Sequence, residues 1–177
     1  MPKPKKQLID GPTRSGTILD FPHHEIHEGF HYIVSDSDTN VDIASPKYWH
    51  IKTADNAEWC HLLGAFIADG AGTLEFFENP TTTGDGTQLT AYNNNRNSAN
   101  TPNTTFYYDP TVSADGTKIY SIPIGSDGSP ISAHGGSTSR EREFILKQNE
   151  QYLMKFTALA DNTTASIVFE FYEHESL

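Results

Sequence analysis

The stretch Thr164-Ala165-Ser166-Ile167-Val168-Phe169-Glu170-Phe171-Tyr172-Glu173 decides the fold. Successive side chains of a β-strand point to opposite faces, so Ala165, Ile167, Phe169 and Phe171 share one face, while Ser166, Glu170 and Tyr172 take the other. That is a strand with one buried side. Just upstream, Tyr152, Met154, Phe156 and Ala158 alternate with Gln151, Lys155 and Thr157. Asp161-Asn162 supplies turn chemistry between the two runs, and the spacing predicts an antiparallel hairpin over 151–173.

Working outward, short runs rich in β-branched and aromatic residues recur at 47–54, 59–67, 73–78, 87–92, 104–109, 117–124 and 142–147, with 30–35 near the front. Clusters of Gly, Asn, Asp, Ser and Pro separate them. Asp69-Gly70, Asp85-Gly86, Asp115-Gly116 and Asp127-Gly128 flank these strands and read as hairpin turns, since Gly and Asp tolerate the positive φ of tight turns. No fixed-length repeat is present, which disfavours a solenoid or propeller. The pattern predicts an all-β, antiparallel β-sandwich over residues 23–177, in a chain of 177 residues suited to one domain. Residues 93–103 and 125–141 stand out as long polar loops suited to contact.

The 12 Lys and Arg against 23 Asp and Glu give a net charge of −11, which repels phosphates and argues against direct nucleic-acid binding. Residues 1–22 are the exception. Lys3, Lys5, Lys6 and Arg14 lie there among Pro2, Pro4 and Pro12, and with little to bury the segment reads as an extended or flexible N-terminal arm. The single cysteine, Cys60, sits in the apolar run Trp59-Cys60-His61-Leu62-Leu63 and reads as a core thiol, with no intrachain disulfide to form. There is no apolar leader near the start and no bilayer-length run, so the expectation is a protein made in the cytoplasm with no membrane partner.

Several patterns bear on chemistry. His27-Glu28-Gly29-Phe30-His31 satisfies H-E-x-x-H, in which histidines four apart on one helix face bind zinc and the glutamate activates water. Pro22, Gly29 and the missing helical stripe argue against a helix there, so a polar connecting segment is the expectation. A structural or adventitious metal site comes next, and after it a small metallohydrolase on His27, Glu28 and His31, with His23 or His24 as a further ligand. Asp36, Asp38, Asn40 and Asp42 open like a calcium loop, but Val41 stands where its bend needs Gly and Lys47 where it needs a bidentate Glu. No nucleophile elbow and no phosphate-cradling Gly motif occurs. The pairs Glu75 with Glu78 and Glu170 with Glu173 read as strand charges rather than a glycosidase pair. Trp59, Tyr107, Tyr108 and Tyr120 are the aromatics to watch as contact anchors. No cofactor and no enzymatic activity is expected.

The order of His27-Glu28-Gly29, Ile51-Lys52-Thr53, Glu75-Phe76-Phe77-Glu78, Asn93-Asn94-Asn95-Arg96-Asn97-Ser98, Tyr108-Asp109-Pro110-Thr111, Ile145-Leu146-Lys147-Gln148-Asn149 and Tyr172-Glu173-His174 resembles small virion proteins of tailed bacteriophages and prophages, the capsid decoration or cement proteins. The resemblance implies a jelly-roll-like sandwich on the exterior of the capsid, a structural protein that bridges major capsid subunits and stabilises the shell. It also implies self-association, a trimer before a dimer, with the N-terminal arm as a tether. Contact candidates are Lys3, Lys5, Lys6, Arg14, Asn93, Asn94, Asn95, Arg96 and Asn97. The alternative expectation is a carbohydrate- or receptor-binding β-sandwich module of a phage appendage.

Overall fold

A computed structural model describes residues 21–125, 134–137 and 143–175. These begin with helix α1 (Phe21–Glu28), where a polar connecting segment was expected. Pro22 sits at the start of the helix, where its missing N–H costs nothing, and Gly29 ends it rather than interrupting it. Gly29 takes φ 83°, its N–H bonds the Glu25 carbonyl at 3.0 Å, and the Phe30 N–H bonds the same carbonyl at 2.9 Å.

The remainder is strand. One sheet, sheet I, holds β1 (His31–Val41), β3 (Glu58–Ala68), β7 (Tyr92–Asn93), β11 (His134–Ser137), β12 (Phe144–Leu146) and β14 (Thr163–Glu175), in the order β11-β3-β14-β1-β7, with β12 also on β3. Sheet II holds β2 (Lys47–Lys52), β4 (Gly72–Glu78), β6 (Thr87–Gln88), β8 (Thr105–Tyr108), β10 (Thr117–Ile124) and β13 (Gln151–Ala158), in the order β10-β4-β13-β2-β8-β6. A two-stranded ribbon pairs β5 (Thr81–Gly84) with β9 (Thr111–Ala114). The pairings are antiparallel, and the fold is an all-β sandwich.

Strand β14 lies at the centre of sheet I, paired to β3 from Ala165↔Ala68 to Glu175↔Glu58 and to β1 from His31↔Tyr172 to Val41↔Thr163. Ala165, Ile167, Phe169 and Phe171 are each no more than 2% exposed. Sheet II meets them with Trp49, Ile51, Phe76, Phe106 and Phe156. Phe106 packs at 5.2 Å on Phe169 and 4.8 Å on Phe171, and Phe66 packs at 4.9 Å on Phe156. Each such ring contributes roughly 1.5–3 kcal/mol by leaving water, plus the geometric preference of tilted aromatic pairs.

The expected hairpin over 151–173 does not form. Strand β13 pairs with β2 and β4, β14 pairs with β1 and β3, and residues 159–162 cross from one sheet to the other. Alternation defines a buried face without naming a neighbour. Two consecutive strands with apolar faces bury them best against each other, and that places them in opposite sheets. The Asp-Gly turns behave alike: Gly86 and Gly116 both take φ 92°, and a Cβ there would sit 2.2 Å from the Tyr108 carbonyl oxygen and 2.4 Å from that of Glu78. Yet the strands they join do not pair with one another, and Asp69-Gly70 leads from sheet I to sheet II. Asp127-Gly128 lies outside the described residues.

On the outer side of sheet II, Phe77, Leu153 and His50 are buried as well. The β5/β9 ribbon lies on this side, with Asp85 after β5 taking the Lys52 ammonium at 2.8 Å and Asp115 after β9 taking that of Lys155 at 2.7 Å. The His50 Nε2 bonds the Gln151 side chain at 3.0 Å, while its Nδ1 is buried without a partner, 3.6 Å from Asp85. Burial holds His50 below its ordinary value, with Gln151 and Asp85 opposing. A lowered folded-state value means that the unfolded chain takes up the proton first, so stability is full above pH 6.5 and falls as the pH drops below it. Each such histidine contributes a slope of at most about 1.4 kcal/mol per pH unit. Urea unfolding between pH 7 and 5 is expected to show this loss, with a shallower slope in His50→Gln; parallel slopes would contradict the assignment.

Candidate functional site

The Asn-rich loop begins at β7 on the edge of sheet I. Its first asparagines are spent on building the loop. Asn93 is 8% exposed, and its amide donates to the Gly29 carbonyl at 2.8 Å and to the Asn100 carbonyl at 3.2 Å, while its Oδ1 accepts the Asn95 N–H at 2.9 Å. Asn94 bonds the His31 ring at 2.8 Å through its side chain and the His31 carbonyl at 2.9 Å through its N–H. Asn95 donates from its side chain to the His27 carbonyl at 3.1 Å and accepts the Asn97 N–H at 3.2 Å. Gly29 lets the loop close on the helix end, since a Cβ there would lie 2.3 Å from Ser98 Oγ. Glu173 fixes the far end, its buried carboxylate accepting the N–H groups of Asn103 at 2.8 Å and Thr104 at 2.7 Å.

Tyr92, Arg96 and Asn97 are exposed at the start of the loop. Arg96 lies over the Tyr92 ring at 5.5 Å, and Tyr92 is 55% exposed. Of the expected contact residues, the structure turns Asn93, Asn94 and Asn95 to internal bonding and leaves Arg96 and Asn97 outward. Sequence reasoning did not single out Tyr92, although an aromatic next to the loop was a usable signal. Lys3, Lys5, Lys6 and Arg14 lie outside the described residues, as does most of 125–141.

The H-E-x-x-H pattern is split by the fold. His27 lies in the last turn of α1 with its Nε2 3.1 Å from that of His23, whereas His31 opens β1, buried at 3% exposure and stacked on Tyr172. His27 and His31 do not share a helix face. Burial holds His31 below its ordinary value, against the pull of Glu170. Among the described residues, no group of three or more His, Cys, Asp or Glu is arranged to hold a metal ion.

The calcium-like run takes an internal cation. The nearly buried Lys47 ammonium lies 2.9 Å from Asp109, 3.3 Å from Asp38 and 3.6 Å from Asp36, and Asp36 also accepts the Trp49 indole N–H at 2.8 Å. Burial opposes the charge on Lys47, but Asp109, Asp36 and Asp38 together raise its proton affinity above the ordinary value. Lys47 thus ties β1 of sheet I to β2 of sheet II. Cys60 is a buried core thiol whose burial raises its pKa and keeps it protonated, unlike a nucleophile. Glu75 pairs with Lys118, and Glu78 with Lys147.

A second polar cluster went unread in the sequence. On the outer face of sheet I, His61 Nδ1 lies 2.5 Å from Glu143, the Tyr172 hydroxyl donates to the same carboxylate oxygen, and His61 Nε2 lies 2.9 Å from His174 Nε2. Burial lowers the His61 value, and the contact with Glu143 works against it. Strand pairing unites residues 61 and 174, and no short motif announces it. Between the sheets, beside β10 and β12, a cavity of about 590 Å³ is lined by Leu62, Phe66, Leu74, Phe76, Ile122 and Phe144 among others. Its walls are predominantly apolar, unlike the converging polar groups that hold a sugar.

No family model matches this chain, and no curated protein or solved structure matches it.

Truncating Asn93 removes the bonds that its side chain makes to the Asn100 carbonyl and the Asn95 N–H and leaves the Gly29 carbonyl to the Asn100 amide alone, so Asn93→Ala is expected to cost about 1–3 kcal/mol in urea unfolding. Arg96→Ala, at the tip, is expected to stay within about 0.5 kcal/mol of the parent. Equal effects would contradict the division between built loop and exposed tip.

Proposed function

We propose that the chain is a structural, non-enzymatic virion protein that decorates the exterior of a bacteriophage capsid, bridging major capsid subunits and stabilising the assembled shell. The observation that carries this reading is the prebuilt loop, whose Tyr92, Arg96 and Asn97 tip is held by hydrogen bonds from both ends. A tip already ordered loses little freedom on docking, and its mix of ring, guanidinium and amide suits a protein surface.

The strand order supports the jelly-roll expectation. The core strands run β1-β14-β3-β12 in one sheet and β2-β13-β4-β10 in the other, and the chain changes sheets at each step from β1 to β4 and again from β13 to β14. Jelly rolls recur in viral capsid and lectin domains, an analogy of fold rather than of site. The edges favour controlled assembly over strand-to-strand growth. Edge strand β10 carries Lys118 and Pro123 and an irregularity between Lys118 and Tyr120, while β6 and β7 are two residues long. Closed self-association, a trimer before a dimer, fits such blunted edges. The basic segment 1–22 is then a tether to a neighbouring subunit. A protein that binds only the assembled shell stabilises it by mass action, summed over many copies.

The test is co-sedimentation with undecorated capsids of the phage or prophage that encodes the chain, after light scattering has fixed the oligomer. Saturable binding at a symmetry-compatible ratio is expected, weakened at least tenfold in Arg96→Ala/Asn97→Ala while the fold is kept. Protein that remains in the supernatant but binds glycans would overturn this reading in favour of a receptor-binding module.

A further inference from the structure

The outer face of sheet I carries a row of side chains at one register, Ile145 on β12, His61 on β3, Tyr172 on β14 and His31 on β1, with His174 one step along β14. Helix α1 lies nearby. Its Glu25 is 5% exposed, and its charge is felt at the His61 ring. The Nδ1 atoms of both rings face oxygen acceptors. The His174 Nδ1 lies 2.6 Å from the Glu175 carbonyl oxygen, an acceptor only, so that nitrogen carries hydrogen. The Glu143 carboxylate already accepts from the Tyr172 hydroxyl and takes the His61 Nδ1 hydrogen at 2.5 Å. The Nε2 atoms of His61 and His174 face each other at 2.9 Å.

A metal-ligating histidine has this form. One ring nitrogen donates to a carboxylate or backbone carbonyl, which fixes the tautomer and points the other nitrogen's lone pair at the ion. We propose that His61 and His174 form a two-histidine chelate through their Nε2 atoms for a divalent transition-metal ion of the zinc and copper class, with Glu143 and the Glu175 carbonyl as the groups that orient the rings. Imidazole suits these ions over calcium or magnesium. Two nitrogens at roughly 2.0–2.1 Å from a tetrahedral ion stand about 3.3 Å apart, so the pair needs to open by only a few tenths of an ångström. Glu25 and Glu143 supply compensating negative charge. With two protein ligands, water completes the shell, which makes the ion exchangeable rather than structural.

A proton is the competing occupant. A proton held between the two Nε2 atoms is displaced when the ion binds both, and it leaves to solvent. Affinity therefore falls with falling pH. The exposed His23 and His27 pair on α1, with Nε2 atoms 3.1 Å apart, serves as the internal control.

The experiment is calorimetric titration of the full chain with zinc chloride at pH 7.5 and 5.5. One site is expected at pH 7.5, at least tenfold weaker at pH 5.5 and in His174→Gln, and within twofold of the parent in His23→Gln/His27→Gln. No zinc uptake by the parent chain would overturn the proposal and leave the pair with a shared proton only; uptake that survives His174→Gln, or is lost with the helix pair, would overturn it as well. Should His174→Gln fail to fold, copper-induced broadening of ring signals in the parent reads the same site. Broadening of His61 and His174 is expected, and broadening confined to His23 and His27 would overturn the assignment.

Discussion

The structure depends on the burial of one face of β14 against sheet II. Ala165, Ile167, Phe169 and Phe171 are closed off from water by Phe106, Trp49 and Phe156, and β14 also supplies the pairing edges for β1 and β3. A shift of this strand by one residue would turn its apolar set outward and put Glu170 and Tyr172 into the core. The inner face therefore fixes the register of three strands at once. What lies on the outer face, His174 and Tyr172 beside His61, is placed by that same register.

Polar groups then pin what the apolar core leaves loose. Lys47, with its aspartates, joins the sheets at one point. Glu173, buried at the far end of β14, receives the two amides that end the Asn-rich segment. Asn93 ties the start of that segment to the end of α1. Each is satisfied, as buried polar groups must be to avoid a penalty of several kcal/mol. Together they convert a polar loop, which composition alone reads as soft, into an extension of the sandwich.

The inner faces of β13 and β14 were legible in the sequence because a period of two with large apolar residues has one physical reading. Their partners were not, because alternation is silent on which sheet a strand joins. Strands β5 and β9 escaped notice for the opposite reason: Thr81-Thr82-Thr83-Gly84 has no apolar face, and it pairs at the surface of another sheet. Helix α1 was hidden by Pro22 and Gly29, which are breakers inside a helix and suitable residues at its two ends. The asparagine run was visible as a feature, but the division between inward Asn93 and outward Arg96 depends on where Gly29 and Asn100 lie in space. His61 and His174 meet only through strand pairing.

A sandwich of this kind offers function at its rims and outer faces, since the interior is committed to packing. Among the described residues, side chains converge without serving the core at the loop tip of Tyr92, Arg96 and Asn97 and at the histidine pair on sheet I, as well as at His23 and His27 on α1. The proposed contact through the loop tip requires a loop that is already ordered in the isolated protein. Amide hydrogen exchange of the isolated protein tests this directly. The Asn94, Asn95, Ser98 and Thr104 amides, which donate to His31, Asn93, Asn95 and Glu173, are predicted to exchange at least about a hundredfold more slowly than in a free peptide. Exchange at the free-peptide rate would contradict the account.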